Sequence, residues 1–362
     1  MIFSPGRLNI IGEHTDYNDG FVFPAAIDKG IYAGFSKSKG ALCTVYAIDM
    51  DEYHEFSLQK LEPLQNGGWR NYILGVIFEI QKLGKKVDPF HLVFAGDIPD
   101  GAGLSSSAAL ENAVVYGLNE LYQLGLSKNV MIQISQKAEH NFVGVNCGIM
   151  DQYASMFGQK DKALLLDCRS LSSVPFRLDL EDYQILLINT NVKHSLSESA
   201  YNERREVCET VASLLKVKAL RDVDKNDLMS IKDQISDEAY QMALYVIEEN
   251  NRVLEAGKAM EKNDMANLGT LLYQSHEGLQ HQYKVSCDEL DFLVDMAKKN
   301  HKIAGARMMG GGFGGCTINL IRKDEVSRFS KEIATAYQKR FNRSCSFYEV
   351  ALSEGTHIIP DH

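Results

Sequence analysis

The pattern of apolar and polar positions changes after the first third of the chain. Short apolar runs punctuated by glycine and proline come first, and those at 21–27, 30–35 and 91–95 predict strands of a curved sheet. A turn-rich loop at 97–103 follows the last of them. Beyond that loop the apolar residues recur at helical spacing on one face, so 105–121 is predicted to be a helix.

The rest of the chain alternates between helical and strand patterns. Ser127 is a suitable N-cap for a second helix that ends near Phe142. A short third helix is expected to begin near Gly148 and to include Asp151. Further strands are predicted at 164–166, 185–188, 316–321 and 347–352, and further helices over most of 200–300 and over 326–341.

Length and charge limit the class of protein. A chain of 362 residues is too long for one ordinary core and predicts two domains of about 150–200 residues each. We place the boundary between them so that the domains are 1–175 and 176–362. The formal net charge of −10 argues against nucleic acid or an anionic membrane as the main partner.

The cysteines and the N-terminal sequence indicate a cellular compartment. Seven cysteines are widely spaced and include no CxxC pair, which argues against a disulfide framework or a zinc site and favours a reducing compartment. The first residues lack the basic and long apolar regions of a signal peptide, and the chain contains no apolar run long enough to span a membrane. We therefore expect a cytoplasmic protein.

A cluster of polar side chains lies in the segment 6–18, where Arg7, Glu13, His14 and Asp16 occur between apolar stretches. Carboxylates accept hydrogen bonds from hydroxyl groups, and histidine can donate or accept, so these residues could fix several hydroxyls of a sugar at once. The alternative is a solvated loop in which the charges are incidental.

A glycine- and serine-rich segment, Gly101–Glu111, runs into the first predicted helix. Small residues let backbone N–H groups approach a phosphate, and a helix N-terminus adds positive potential. The segment lacks the Gly-Lys-Ser/Thr of a Walker A loop, and the chain has no protein-kinase HRD or DFG motif. The alternative is a pair of serine N-caps after a glycine turn.

Two further segments carry weaker signals. Gly310–Gly315 satisfies GxGxxG, but the residues after it predict a strand rather than a helix, so a dinucleotide-binding fold is disfavoured and a glycine turn packed closely against another loop is expected. Asp151 falls in the first turn of a short helix, where its charge could simply favour the helix dipole.

Taken together, these segments resemble the galactokinase family of the GHMP small-molecule kinase superfamily. The segment 6–18 is similar to the sugar signature of that family, 101–111 to the superfamily's phosphate loop, and 310–315 to its C-terminal glycine motif. The resemblance covers nearly the whole chain. It implies an α/β (α+β) fold of two domains with the active site in the cleft between them, and ATP-dependent phosphorylation of α-D-galactose at the C1 hydroxyl.

The resemblance also implies roles for individual residues. Asp151 matches the catalytic aspartate, and Arg7 matches the arginine beside it that stabilises the transferring phosphoryl group. Trp69 could lie near the adenine, although an ordinary buried aromatic is the alternative. The remaining implied assignments are sugar binding by Glu13, His14, Thr15, Asp16, Gly148 and Tyr201, ATP binding by Gly101, Ala102, Gly103, Leu104, Ser105, Ser106 and Ser107, and Mg²⁺ binding by Ser107 and Glu139.

A carboxylate next to Arg7 at a helix N-terminus is a poor base for an alcohol, so we expect Asp151 to orient the hydroxyl and to accept its proton late. The implied partners are galactose and ATP with Mg²⁺, without nucleic acid or membrane, for a monomer. Family members usually carry a longer segment before Ser4, which is expected to pack on the first domain. Two alternatives stay open: a kinase for a related sugar such as N-acetylgalactosamine, and a galactose and ATP sensor without catalysis.

Overall fold

The computed structural model describes residues 1–99, 101–192 and 197–360, and in this part of the chain strands and helices alternate. The strands are β1 Ile2–Asn9, β2 Phe21–Val22, β3 Pro24–Lys37, β4 Cys43–Ala47, β5 Glu52–Phe56, β6 Phe90–Gly96, β7 Lys162–Asp167, β8 Ser172–Arg177, β9 Tyr183–Asn189, β10 Ile303–Met308, β11 Cys316–Arg322, β12 Ser346–Val350 and β13 His357–Ile358. The α-helices are α1 Trp69–Lys82, α2 Ser106–Tyr122, α3 Lys128–Ala138, α4 Met150–Phe157, α5 Ser197–Leu214, α6 Lys225–Ser230, α7 Asp237–Glu261, α8 Met265–Glu277, α9 Asp288–Lys298 and α10 Val326–Phe341. Two π-helical segments, Glu139–Val143 and Gly278–Gln282, extend α3 and α8.

The N-terminal sheet has the strand order β13-β1-β3-β6-β4-β5. Its neighbouring strands are antiparallel except for β4 and β6, which pair in parallel. Helices α2 and α4 lie against β1 and β3, and α1 and α3 pack on α2. Apolar side chains of these strands and helices form one buried cluster, so the sheet and its helices are two layers packed around one core.

The C-terminal sheet has the order β10-β11-β9-β12 and is antiparallel throughout, while β2, β7 and β8 form a small third sheet. Helices α8 and α9 pack on β10. A second apolar cluster joins this sheet to the N-terminal one, because Leu8 and Ile10 are buried in the same cluster as Ile185, Val253 and Ile318. The chain also returns to its beginning, since β13 pairs with β1.

Most predicted elements are confirmed. The helix predicted over 105–121 is α2, and Ser127 accepts a hydrogen bond from Val130 N as the N-cap of α3. The prediction of two separate strands at 21–27 and 30–35 is wrong. Most of these residues belong to the single strand β3, because the polar pair at 28–29 lies at the protein surface without breaking the strand.

The mixed fold of sheets and helices agrees with the predicted fold class. The glycine-rich segment ends directly at β11, so the expected strand after it is confirmed and a Rossmann arrangement is excluded there. The domain boundary between 175 and 176 stays a prediction. Within the described ranges, no helix is both long enough and apolar enough to cross a bilayer.

Candidate active site

An ion pair between Arg7 and Asp151 lies where β1, the glycine- and serine-rich loop and α4 meet. Arg7 Nε and Nη2 each donate to one oxygen of the Asp151 carboxylate at 2.8 Å, and Nη1 donates to Gly103 O at 2.6 Å. Burial by itself lowers the pKa of Arg7, but the carboxylates of Asp151 and Glu13 outweigh this effect and raise it. The guanidinium group therefore stays charged, and it is fixed by bidentate contacts.

The loop Gly101–Ser105 adopts backbone angles that glycine favours. The φ angles of Gly101, Gly103 and Ser105 are 65°, 69° and 58°, so the chain turns sharply before α2 begins at Ser106. The Ser105 hydroxyl donates to Asp151 Oδ2. The first N–H groups of a 17-residue helix are thus presented beside the ion pair, which is the arrangement that binds phosphate.

An open pocket of about 760 Å³ contains this ion pair together with most of the predicted sugar residues. Glu13, His14, Asp16 and Gly148 line it alongside Arg7 and Asp151. A Cβ atom at Gly148 would lie 1.8 Å from Asp16 Oδ2, so any larger residue there would displace the Asp16 side chain. Residues far apart in sequence therefore present carboxylates, an imidazole and a guanidinium to one cavity.

His14 is held in a defined orientation. Its backbone has φ 62°, and its Nδ1 lies 2.7 Å from the Tyr17 hydroxyl, which in turn lies 2.7 Å from the hydroxyl of Tyr283. Burial lowers the pKa of His14 to about 3, so the imidazole is neutral at neutral pH. A neutral ring has one donor and one acceptor nitrogen, as recognition of hydroxyl groups requires.

Two carboxyl groups of the pocket hold protons more tightly than usual. Burial, followed by the charge of Asp151, raises the pKa of Asp16 to about 7 and that of Glu139 also to about 7. Each group is desolvated and faces another carboxylate. The pocket is therefore suited to ligands that supply hydroxyl donors or positive charge.

The residues predicted to bind Mg²⁺ fit that ion. Ser107 Oγ lies 3.3 Å from Glu139 Oε1, and two adjacent oxygens of an octahedral Mg²⁺ site with bonds of about 2.1 Å are about 3 Å apart. A cation would also relieve the repulsion between Glu139 and Asp151 that raises the pKa of Glu139. Both donors are oxygens, which is the ligand type that Mg²⁺ prefers.

The structure does not place Thr15 among the described residues that line the pocket. Thr15 is fully buried, and its hydroxyl contacts the carbonyl oxygens of Gly12 and Phe21 at 2.9 and 2.7 Å. These contacts give Thr15 a role in shaping the turn. Tyr201 belongs to α5, but its side chain lies outside the described residues.

A second pocket, of about 1070 Å³, adjoins the start of α2. Trp69 lines it together with Ser106 and Ser107, the last of which also faces Glu139. The Trp69 indole N–H donates to Glu52 Oε2 at 2.6 Å, and the Arg70 guanidinium stacks 4.7 Å from the ring centroid. Trp69 is largely buried in the N-terminal core and at the same time lines a cavity beside the start of α2.

The sequence reasoning missed the side chains that support the pocket from the C-terminal half. Glu13 Oε1 accepts hydrogen bonds from Arg307 Nη2 at 3.0 Å and from Gly310 N at 2.9 Å. Glu249 Oε1 accepts from Gly12 N at 2.9 Å. The only available signal was the position of Arg307 just before the glycine-rich segment, since neither residue belongs to a recognisable motif.

The glycine-rich segment Gly310–Gly315 packs on the loop Gly101–Ser105, as expected for a glycine turn that packs against another loop. A Cβ atom at Gly310 would lie 3.6 Å from Gly103 O, and one at Gly315 would lie 3.8 Å from Ala102 O. Both glycines have positive φ, 84° and 74°. Both distances are ordinary van der Waals contacts, so glycine is favoured here by the positive φ angles and not by a lack of space.

The family models and the relatives that match this chain all belong to one family of kinases. Residues 1–37 match the family model described as the galactokinase galactose-binding signature, 71–159 match the GHMP kinases N terminal domain, and 257–339 match the GHMP kinases C terminal model. A galactokinase of Thermotoga neapolitana is 43% identical over 356 residues, covering 98% of this chain and 99% of the relative. A galactokinase of Thermosipho africanus is 44% identical over 352 residues, covering 97% of each.

Solved structures agree with these matches. Lactococcus lactis galactokinase complexed with galactose superposes with a TM-score of 0.94 at 36% identity, covering 98% of this chain and 94% of that one. Methanococcus jannaschii mevalonate kinase, at 17% identity, superposes with a TM-score of 0.69 over 98% of each chain and therefore shares the fold.

The raised pKa of Asp16 predicts a pH-dependent stability in the absence of ligands. The folded protein keeps a proton on Asp16 up to about pH 7, whereas an unfolded chain loses it near pH 4. The stability gained from this difference is full below about pH 4 and is lost as the pH rises through about 7. Asp16→Asn removes that loss, so the melting temperature of the variant relative to the unsubstituted protein should be higher at about pH 8 than at about pH 5.

Differential scanning fluorimetry at the two pH values measures this effect. Asp88→Asn is the matched control, because Asp88 is an exposed carboxylate paired with Lys86 and its replacement should shift the melting temperature equally at both pH values. An Asp16→Asn shift that does not change with pH would contradict the prediction.

Proposed function

The chain belongs to the galactokinase family, and from this membership and the geometry of the pocket we infer that it transfers the γ-phosphoryl group of ATP to the C1 hydroxyl of α-D-galactose. The products are galactose 1-phosphate and ADP. One observation carries the proposal: the sugar-signature side chains Glu13, His14 and Asp16 line the same pocket as the Arg7–Asp151 ion pair. A hexose held by the first group would have a hydroxyl beside the second.

The sugar would be held mainly by polar contacts. The Glu13 carboxylate can accept from hydroxyls, and the neutral His14 ring can donate or accept. Asp16, with its pKa raised to about 7, is present in both its protonated and its charged form near neutral pH, and sugar hydroxyls would supply hydrogen bonds that it lost on burial. Several such hydrogen bonds in one pocket discriminate strongly against sugars that lack a matching hydroxyl.

Arg7 and Asp151 would act on the reacting atoms. The Arg7 guanidinium would neutralise charge on the equatorial oxygens of the transferring phosphoryl group. Asp151 would orient the sugar hydroxyl and accept its proton late, because Arg7 already takes up both of its oxygens. The Ser105 hydroxyl donates to Asp151 Oδ2, which is the oxygen to which the sugar hydroxyl would donate when it is bound.

The phosphates of ATP would bind at the loop Gly101–Ser107 and the N-terminus of α2, whose N–H groups have no partner within the helix. Ser107 and Glu139 would hold the Mg²⁺ ion, which offsets the negative charge of the phosphates when bound. The pocket lined by Trp69 would take the adenine, because Ser106 and Ser107 connect it to the phosphate loop.

The proposal also includes the wider setting of the protein. We propose two domains, 1–175 and 176–362, with the substrates bound between them, because Glu13 and His14 from the first half lie beside Gly310 and Gly311 from the second. A monomer in a reducing cytoplasm is part of the same proposal. The cysteines support the reducing compartment, since all seven are free thiols.

The function is tested by an ADP-release assay with Mg-ATP and a panel of free sugars: galactose, 2-deoxygalactose, N-acetylgalactosamine, glucose, mannose and arabinose. We expect fast turnover with galactose and little with glucose, because Glu13, His14 and Asp16 would each pair with a hydroxyl in a particular direction. Turnover only with another sugar, such as N-acetylgalactosamine, would show that this sugar and not galactose is the substrate. Binding of galactose and ATP without any turnover would indicate a sensor.

Asp151→Asn is predicted to lower kcat by about 10²–10⁴-fold while changing the galactose Kd only a few-fold. The amide keeps the size of the side chain but cannot accept the proton and weakens the pairing with Arg7. Steady-state rates together with calorimetric titration of galactose separate the two effects. Asp88→Asn, remote from the pocket, is the control for the substitution itself, and a variant with near-normal kcat would refute this role of Asp151.

Trp69 provides a direct signal for nucleotide binding because it is the only tryptophan of the chain. Adding ATP or ADP should change the intrinsic emission of the protein, and galactose alone should not, since Trp69 lines the adenine pocket and not the sugar pocket. Trp69→Phe should abolish the signal and raise the KM for ATP several-fold through lost stacking area. Calorimetric binding of ADP that leaves the emission unchanged would place the adenine elsewhere.

A further inference from the structure

The backbone of the sugar signature is held from behind by α7. Glu249 Oε1 accepts from Gly12 N at 2.9 Å, and the Tyr245 hydroxyl donates to Glu13 O at 3.0 Å. Both α7 residues are fully buried. These contacts fix the main chain at Glu13, but they leave the direction of its side chain undetermined.

The Glu13 carboxylate is positioned by a different pair of donors. Arg307 Nη2 and Gly310 N both donate to Oε1, at 3.0 and 2.9 Å. Among the residues that the structure describes, no donor lies within hydrogen-bond distance of Oε2. Because Glu13 lines the pocket, one oxygen is anchored to protein while the other is left for a ligand hydroxyl.

Arg307 supports this arrangement without reaching the pocket. Its side chain is fully buried, and its Nε donates to Ile10 O at 2.8 Å and its Nη1 to Met308 O at 2.5 Å. Nη2 contacts both Glu13 and Asn9 O. A single guanidinium thus connects β10 to the end of β1 and to the segment that follows it.

The chemistry of this position requires arginine. Its planar fork offers five N–H donors in fixed directions, whereas the ammonium group of lysine is a single compact charge on a flexible stem. A lysine at 307 could not contact the carbonyl oxygens of Asn9 and Ile10 and still reach Glu13. A buried charge of this kind is tolerated only when its hydrogen bonds are satisfied.

We propose that Arg307 is a positioning residue for the sugar: by anchoring Oε1 of Glu13, it aims Oε2 at a galactose hydroxyl and thereby sets the affinity for galactose. The inference rests on the proposed function. Arg307 acts through Glu13 and touches neither substrate, so its effect belongs to the sugar side of the reaction. The adenine pocket is lined by residues of the N-terminal half, away from Arg307.

The test compares the KM for galactose, the KM for ATP and kcat in Arg307→Lys and Arg307→Met. We expect the KM for galactose to rise about ten-fold or more, which corresponds to the loss of one charge-assisted hydrogen bond, and the KM for ATP to stay within about two-fold. A merely structural role would reduce the amount of active enzyme and lower kcat without separating the two KM values.

A double-substitution cycle tests whether the effect passes through Glu13. Glu13→Gln removes the charge that Arg307 pairs with, so adding Arg307→Lys to it should raise the KM for galactose by less than about two-fold. Arg322→Lys is the matched control on the same sheet, because Arg322 pairs with Asp182 at the surface and should leave every constant unchanged. Melting temperatures of all variants identify those that fail to fold.

The outcomes distinguish a failure of the proposed function from a failure of the positioning role of Arg307. If the unsubstituted protein neither binds nor phosphorylates galactose, the proposed function fails and this inference fails with it. If it phosphorylates galactose but Arg307→Lys folds with an unchanged KM for galactose, or with an equal rise in the Glu13→Gln background, only the positioning role is overturned. Should Arg307→Met fail to fold, the lysine variant still gives the answer.

Discussion

The bidentate ion pair between Arg7 and Asp151 is the contact on which the arrangement of the pocket depends. It connects β1 to the first turn of α4, and the same guanidinium group reaches the loop Gly101–Ser105 through Gly103 O. Ser105 adds a hydrogen bond from that loop to the same carboxylate. Three segments that are remote in sequence are therefore held at one point, and the geometry of charged, forked hydrogen bonds fixes their relative orientation.

The pocket contains more carboxyl groups than a stable protein interior would favour. Glu13, Asp16, Glu139 and Asp151 line it, and among the described residues that line it Arg7 is the only arginine. The raised pKa values of Asp16 and Glu139 express the resulting desolvation and repulsion. Sites that bind hydroxyl groups and a cation need such acceptors, so the protein keeps an unfavourable charge distribution in the place where its substrates would relieve it.

Features that local sequence determines could be predicted, and those that depend on packing could not. Glycines, serines and helical spacing identified the loop before α2, and the strand after Gly315 was evident from its apolar run. In contrast, β1 was missed, because Pro5, Gly6 and Arg7 interrupt its sequence and it is buried on both faces without alternation. The role of Arg307 depends on Glu13, a residue almost three hundred positions earlier, and no local pattern records that contact.

The same short segment contributes to both the core and the chemistry. Leu8 and Ile10 are buried with Ile185 and Ile318 of the C-terminal sheet, while Arg7 and Glu13 on either side of them line the pocket. Apolar packing between the two halves therefore sets the distance between the sugar signature and the glycine-rich segment. Because interiors are densely packed and repack in discrete steps, a shift at this core would displace Glu13 relative to Gly310. The assembly of the site is thus inseparable from the docking of the C-terminal sheet on β1.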